Sequence, residues 1–261
     1  MEKKIDLHTH TYYSDGTTSP TEVVKWAKKG NLEQLSITDH DGTEGIKEAL
    51  IAGEALEIEV IPGIEFSVGE PDGTEMHILG YYIDISNEAL MKRLKDIRKK
   101  RQERNGKLLA ALRDLGFPLD PEDLHKKGDV DYLGKPDFAR ALINKGYINE
   151  FSEAFEEGRF LKSEEVRKIK KEKISAKEAI ELIAGAGGMA VLAHPMKVFG
   201  LVGEYFEALD KLVCILKDYG LKGMECFYPE HSEEETMKLV NMAEKYKLHM
   251  TKGTDYHGPK E

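Results

Sequence analysis

The chain has 261 residues with 38 Lys plus Arg against 48 Asp plus Glu, a formal balance of −10. At 40% hydrophobic and 33% charged it has the composition of an ordinary folded protein, and no apolar run approaches the roughly 20 residues of a bilayer span. The acidic balance argues against coating duplex DNA through a broad basic surface, while leaving room for a local basic pocket.

In chain order, seven short apolar runs read as buried strands: Lys4–Leu7, Gln34–Thr38, Glu59–Ile64, Met76–Tyr82, Gly188–Ala193, Gly223–Tyr228 and Leu248–Thr251. Helical patterns with start and stop signals lie between them. Ser19-Pro20-Thr21-Glu22 is a capping box with proline at the first helical position, and Gly30 is the stop. Ser175 opens a second helix that ends at Gly185–Gly188, and Ser232-Glu233-Glu234-Glu235 opens a third that runs to Tyr246. Strand, helix and strand in alternation predict βαβ units and an α/β fold with a parallel sheet, favouring a barrel over an open sheet. From Glu88 to Lys173 no strand signal appears. Helical signals persist over Leu90–Leu115 and Pro136–Lys145, so residues 88–173 read as a helical insertion into a barrel built from 1–87 and 174–261. Met1-Glu2-Lys3-Lys4 runs straight into a strand, which leaves no room for a signal peptide. With only Cys214 and Cys226, a reduced cytoplasmic setting is the expectation.

Six of the nine histidines stand at or just beyond the predicted strands: His8, His10, His40, His77, His194 and His257. Carboxylates accompany them: Asp6, Asp15, Asp39, Asp41, Glu65 and Asp255. The C-terminal strand ends of a parallel barrel open onto one face, so these side chains are expected to converge there. His8-Thr9-His10 is the most specific pair, because residues i and i+2 of a strand share a face and both rings can reach one ion. Pro62-Gly63-Ile64-Glu65 leaves a carboxylate after a buried strand, where an unpaired charge costs several kcal/mol and a nearby cation would remove that cost. Imidazole and carboxylate without thiolate suit Mn, Zn or Fe.

Taken together, His8-Thr9-His10, Tyr13-Ser14-Asp15-Gly16, Thr38-Asp39-His40-Asp41, Gly63-Ile64-Glu65, His77-Ile78-Leu79-Gly80-Tyr81, Ala193-His194-Pro195 and Gly253-Thr254-Asp255-Tyr256-His257-Gly258 resemble the motifs of the polymerase and histidinol phosphatase (PHP) superfamily. The resemblance spans the chain. It implies a distorted seven-stranded TIM-like β/α barrel with two to three divalent metal ions. By that resemblance His8, His10, Glu65 and Asp255 hold the first ion; Glu65 bridges to a second, held also by His77 and His194; Asp15, His40 and His257 hold the third. The insertion between His77 and His194 resembles the stand-alone phosphoesterase branch, which acts on nucleoside 3′,5′-bisphosphates or the 5′ ends of short single-stranded RNA. The implied reaction is phosphomonoester hydrolysis by a water bridging two ions about 3.5–4 Å apart, deprotonated near neutral pH. Asp255, ligating through one oxygen and free at the other, is the candidate to orient that water or take its proton. A histidinol-phosphate phosphatase and a non-catalytic barrel module are the alternatives.

For substrate, the relatives' Gly-Arg-Pro-His-Ile-Ala-Arg resembles Gly134-Lys135-Pro136-Asp137-Phe138-Ala139-Arg140. Lys135 and Arg140 are thus candidate phosphate contacts, although lysine supplies a point charge without the planar fork of arginine. Asp137 could pair with Lys135 and hold it away from phosphate. Arg101 and Arg104, three apart on a predicted helix, are a solvated face or a further phosphate contact. His231, just past the sixth strand, is a candidate leaving-group acid or a support for the ligands. His125 reads as a surface residue, His249 and Cys226 as core, and Trp26 as core.

Overall fold

A computed structural model describes residues 4–124 and 132–259; His125 lies outside the described residues. Seven strands form one sheet in chain order: β1 (Ile5–Thr9), β2 (Gln34–Ile37), β3 (Glu59–Gly69), β4 (Glu75–Tyr81), β5 (Met189–Leu192), β6 (Gly223–Phe227) and β7 (His249–Lys252). The sheet curls into a nearly closed barrel. Its two ends meet at one rim, where the His10 amide donates to the Tyr256 carbonyl (2.8 Å) and the Tyr256 amide to His8 O (3.3 Å). Helices α1 (Pro20–Lys29), α2 (Ile46–Leu56), α6 (Ala176–Gly185), α7 (Tyr205–Tyr219) and α8 (Glu233–Tyr246) have buried apolar side chains on the sheet. The predicted capping boxes form at Ser19 and Ser232, and Ser175 accepts from the Glu178 amide.

Two expectations about the sheet change. The sheet is not parallel throughout: β4 runs antiparallel to both β3 and β5. Only residues 70–74 join β3 to β4, far too few for a helical crossover, so the chain must return as a hairpin. The reversal brings the N-terminal half of β4, and His77 with it, to the rim where the other strands end. Strand β3 also continues past Ile64 to Gly69, so Glu65 is a strand residue, fully buried and paired in register with Leu79. Gly63 permits this geometry, since a Cβ there would collide with Ser36 Oγ and the Ile37 carbonyl.

Helix α3 (Glu88–Asp114) serves two cores. Leu90, Leu94 and Ile97 pack with the barrel, whereas Leu108 and Leu112 join Phe138, Leu142, Phe160 and Val166 in a separate cluster. The chain returns through α4 (Lys135–Asn144) and α5 (Glu164–Arg167) to Ile174, which bridges Val68 at the end of β3. His249 is exposed rather than core, because β7 turns it outward; Cys226 is buried, and Trp26 is partly buried, stacked on Tyr256 at 4.0 Å. No helix among the described residues is long and apolar enough to cross a membrane.

Candidate metal centre

All nine ligand-type side chains converge on the rim where the barrel closes. Glu65 is central. Its Oε1 lies 2.9 Å from His77 Nδ1, 3.1 Å from His194 Nε2 and 3.3 Å from His8 Nε2. Its Oε2 lies 2.8 Å from His40 Nδ1 and 3.3 Å from His10 Nε2. Asp255 Oδ1 faces His10 Nε2 (3.2 Å) and His8 Nε2 (3.4 Å). Asp15 faces His257 Nε2 (3.1 Å) and His40 Nε2 (3.5 Å). Four overlapping groups have ligand atoms within 4.8 Å of one another: His8–His10–Asp255, His8–Glu65–His194, His40–Glu65–His77 and His10–Asp15–His40–His257.

Hydrogen bonding satisfies this cluster poorly. His8 Nε2, His10 Nε2, His40 Nδ1, His194 Nδ1, Asp15 Oδ1 and Glu65 Oε2 are buried and make no hydrogen bond of good geometry, although pairs such as His40 Nδ1 and Glu65 Oε2 lie in close contact. A buried polar atom left so costs about 1–3 kcal/mol, and clustering the cost in one place is the mark of a site built for cations. The donor set of imidazole nitrogen and carboxylate oxygen fits divalent transition metals.

The electrostatics are those of a mutually charged cluster. Burial opposes ionisation of Glu65, yet the imidazoles of His77, His40 and His8 hold its carboxyl well below the usual range. Burial likewise opposes ionisation of Asp15, and His40 and His257 hold it low; His257 in turn is pushed up to about 9, mainly by Asp15. His10 goes the other way, lowered by burial and by the charges of His257 and His40.

Glu225 escaped the sequence reading, whereas Asp39 and Asp6 were singled out there without a role. Glu225 on β6 is fully buried and accepts from His8 Nδ1 (3.1 Å), which leaves Nε2 as the lone pair facing the cluster. Its other oxygen accepts the His194 backbone N–H (2.7 Å) and so holds His194 in a left-handed conformation at φ +23°. Gly253 makes room for both partners, since a Cβ would strike His8 Cβ and Glu225 Oε1. Asp39 accepts from the Thr11 amide (2.7 Å), the Thr11 hydroxyl (2.7 Å) and the Ser14 hydroxyl (2.6 Å), and Ser14 Oγ touches His10 Nδ1. Asp6 accepts from the Thr254 amide, one residue before Asp255. A Glu inside an apolar strand run is a legible signal in retrospect, as Glu225 within Met224-Glu225-Cys226 shows.

The second oxygen of Asp255, expected to be free, is not: Oδ2 accepts from the Tyr228 hydroxyl (3.0 Å), with Lys197 Nζ at 3.8 Å. Tyr228 is fixed by β6 and Lys197 by the turn after His194. His231 lies beside Tyr228 with Nδ1 at 3.2 Å from the Cys226 carbonyl, and joins none of the ligand groups.

The cleft over the cluster, about 320 Å³, is lined by His77, His194, Asp255, Lys173, Lys197 and Phe199 among others. The three substrate candidates are not among its lining residues. Lys135 Nζ donates to the Leu161 carbonyl (3.0 Å), and Arg140 pairs with Asp137 (3.2 Å). Asp137 accepts from the Gly134 amide (2.7 Å), so it caps α4 and engages Arg140. Arg101 is no solvated residue: it is buried, paired with Asp41 next to His40, and stacked on Tyr132 at 3.9 Å. Arg104 is half-buried, with Nε lacking a hydrogen-bond partner.

A barrel whose rim gathers imidazoles and carboxylates around one central glutamate is the architecture of a metal-dependent hydrolase, and the relatives make it one of phosphate esters. The chain belongs to the PHP family: the model of the PHP domain matches residues 6–226. It is 31% identical to a 5′-3′ exoribonuclease of Haemophilus influenzae over 99% of this chain and 92% of that protein. It is 32% identical to a 3′,5′-nucleoside bisphosphate phosphatase of Chromobacterium violaceum over 98% and 88%. A Bifidobacterium adolescentis structure, provisionally assigned as a metal-dependent phosphoesterase, superposes with TM-score 0.84 at 30% identity, covering 99% of this chain and 89% of that one.

Proposed function

We propose that this chain removes phosphate from nucleoside 3′,5′-bisphosphates or from the 5′ ends of short single-stranded RNA, using two to three Mn, Zn or Fe ions. The observation that carries this reading is the set of buried ligand atoms around Glu65 that make no hydrogen bond of good geometry. The names of the relatives support the substrate class. In this reading His8, His10, Asp15, His40, Glu65, His77, His194, Asp255 and His257 hold the ions. When bound, such ions neutralise phosphate charge and make water acidic enough to attack near neutral pH.

The chain's own contribution is orientation. Glu225 fixes the His8 ring and the His194 backbone, and Glu65 offers both oxygens to different sides of the cluster. Asp255 acts as a ligand and orienting group. Burial opposes its ionisation, yet His10 and His8 hold the Asp255 carboxyl far below the ordinary range, which makes it a weak proton acceptor, and Tyr228 orients its other oxygen.

A second phosphate needs its own cations. Arg104, Lys135, Lys162, Arg167 and Lys170 lie close enough that their repulsion, added to burial, pushes the Lys135 ammonium down. In this reading these cations, which stand outside the residues lining the cleft, take the phosphate or backbone remote from the scissile ester once Lys135 leaves the Leu161 carbonyl. Lys135→Ala should then lower kcat/KM on a bisphosphate by about tenfold or more with bound metal unchanged. The test of the whole reading is a screen of metal-reconstituted protein on 3′,5′-bisphosphates, 5′-phosphorylated oligoribonucleotides and histidinol phosphate. Turnover of histidinol phosphate alone would overturn it.

A further inference from the structure

We propose that Phe199 is the platform on which the base of the substrate stacks, an inference that rests on the nucleotide reading above and gives it a specificity element. Phe199 is 71% exposed, yet it lines the same cleft as His77, His194 and Asp255. An apolar ring held in water beside a polar metal cluster has no packing role to explain it, for its neighbour Val198 already fills the core and is buried.

The ring is also held on a firm backbone. The Phe199 amide donates to the Glu75 carbonyl (2.9 Å) and the Glu75 amide to the Phe199 carbonyl (2.9 Å), an antiparallel bridge onto β4. The Tyr205 hydroxyl donates to the Pro195 carbonyl (2.7 Å) with the Val198 carbonyl also in reach (3.1 Å), and Gly200 turns at φ +85° against Gly73. The segment 195–200 is therefore a short strap that begins at the ligand His194 and ends by presenting Phe199.

Its position suits a nucleotide. Glu75 and His77 are two residues apart on β4 and share a face, so the point where Phe199 docks lies about 7 Å along the strand from a metal-ligand imidazole. A nucleotide with its phosphate at the cluster extends its ribose and base over a comparable span. A phenyl face accepts any base, since every base has a π-face, and so confers preference for nucleotides over other phosphate esters without reading sequence.

Equilibrium binding to the metal-loaded protein reads this contact whether or not the ester is turned over. Calorimetry would compare adenosine 5′-monophosphate with ribose 5-phosphate, which shares the phosphoester and lacks the base. Wild type should bind the nucleotide about five- to a hundredfold more tightly, Phe199→Ala should erase the difference, and Phe199→Trp should keep it. Equal affinities in wild type, or a preference that survives Phe199→Ala, would overturn the platform. Intact preference without hydrolysis of any nucleotide would support the platform and sink the proposed reaction instead.

Discussion

Glu225 stands behind the ligands and faces no cleft, yet it determines which nitrogen His8 presents. With its carboxylate on Nδ1, the ring keeps its proton there and offers Nε2 to the cluster. Glu225→Gln removes the charge and can donate where it should accept, so metal affinity is expected to fall by about 10–100-fold. Competition against a calibrated chelator measures it, and unchanged affinity would remove Glu225 from the account. The convergence of nine ligand-type side chains was legible in the sequence because histidines and carboxylates recur at the strand ends. Glu225 and Tyr228 were not, because each earns its role only from a neighbour far away in sequence: Glu225 from His8, Tyr228 from Asp255. Nor could spacing reveal that Asp137 caps α4 and pairs with Arg140 rather than with Lys135.

At the scale of elements, the segment carrying α3 is fastened to the barrel beside the cluster of ligand-type side chains. Asp41, next to His40, pairs with Arg101 from α3 and with Lys171 (3.0 Å) from the returning chain, and accepts from the Ser67 amide (3.0 Å) on β3. These cations hold the Asp41 carboxyl down to about 2 against the opposing effect of burial. Arg101→Ala breaks a buried pair, and a loss of about 3 kcal/mol is expected, read as a shift of denaturant midpoint; a loss under about 0.5 kcal/mol would mean the latch is idle. Burial pushes the Lys171 ammonium down to about 8 from 10.5, despite the attraction of Asp41. Between those pH values the unfolded chain binds the extra proton, so this group adds stability as pH rises through the window. The stability of Lys171→Met relative to wild type should therefore fall as pH rises from 8 to 10.5. A flat difference would show that Lys171 titrates as an ordinary surface lysine. The strand and helix positions were readable from apolar runs and caps. The direction of β4 was hidden, because an apolar run looks the same in either orientation and only the five-residue connection betrays the hairpin.

The whole molecule joins three things: a barrel that closes at one rim, a cluster of ligand-type side chains at that closure, and a helical segment with its own apolar core latched beside it. The backbone contacts that join the ends of the sheet come from His8, His10 and Tyr256, so with the proposed ligands closure and metal binding would be coupled. Removal of metal should thus lower Tm, by an amount that grows with the logarithm of the metal concentration withdrawn. An unchanged Tm after chelation would separate the metal site from the fold. If several ions bridged through Glu65 are needed for phosphate release, Mn²⁺ titrated into metal-free protein should show it as phosphate leaves adenosine 3′,5′-bisphosphate. Little activity is expected at the first equivalent, a rise to full rate only as the second binds, and no such rise in Glu65→Gln. Full activity at one equivalent, or in Glu65→Gln, would contradict that requirement.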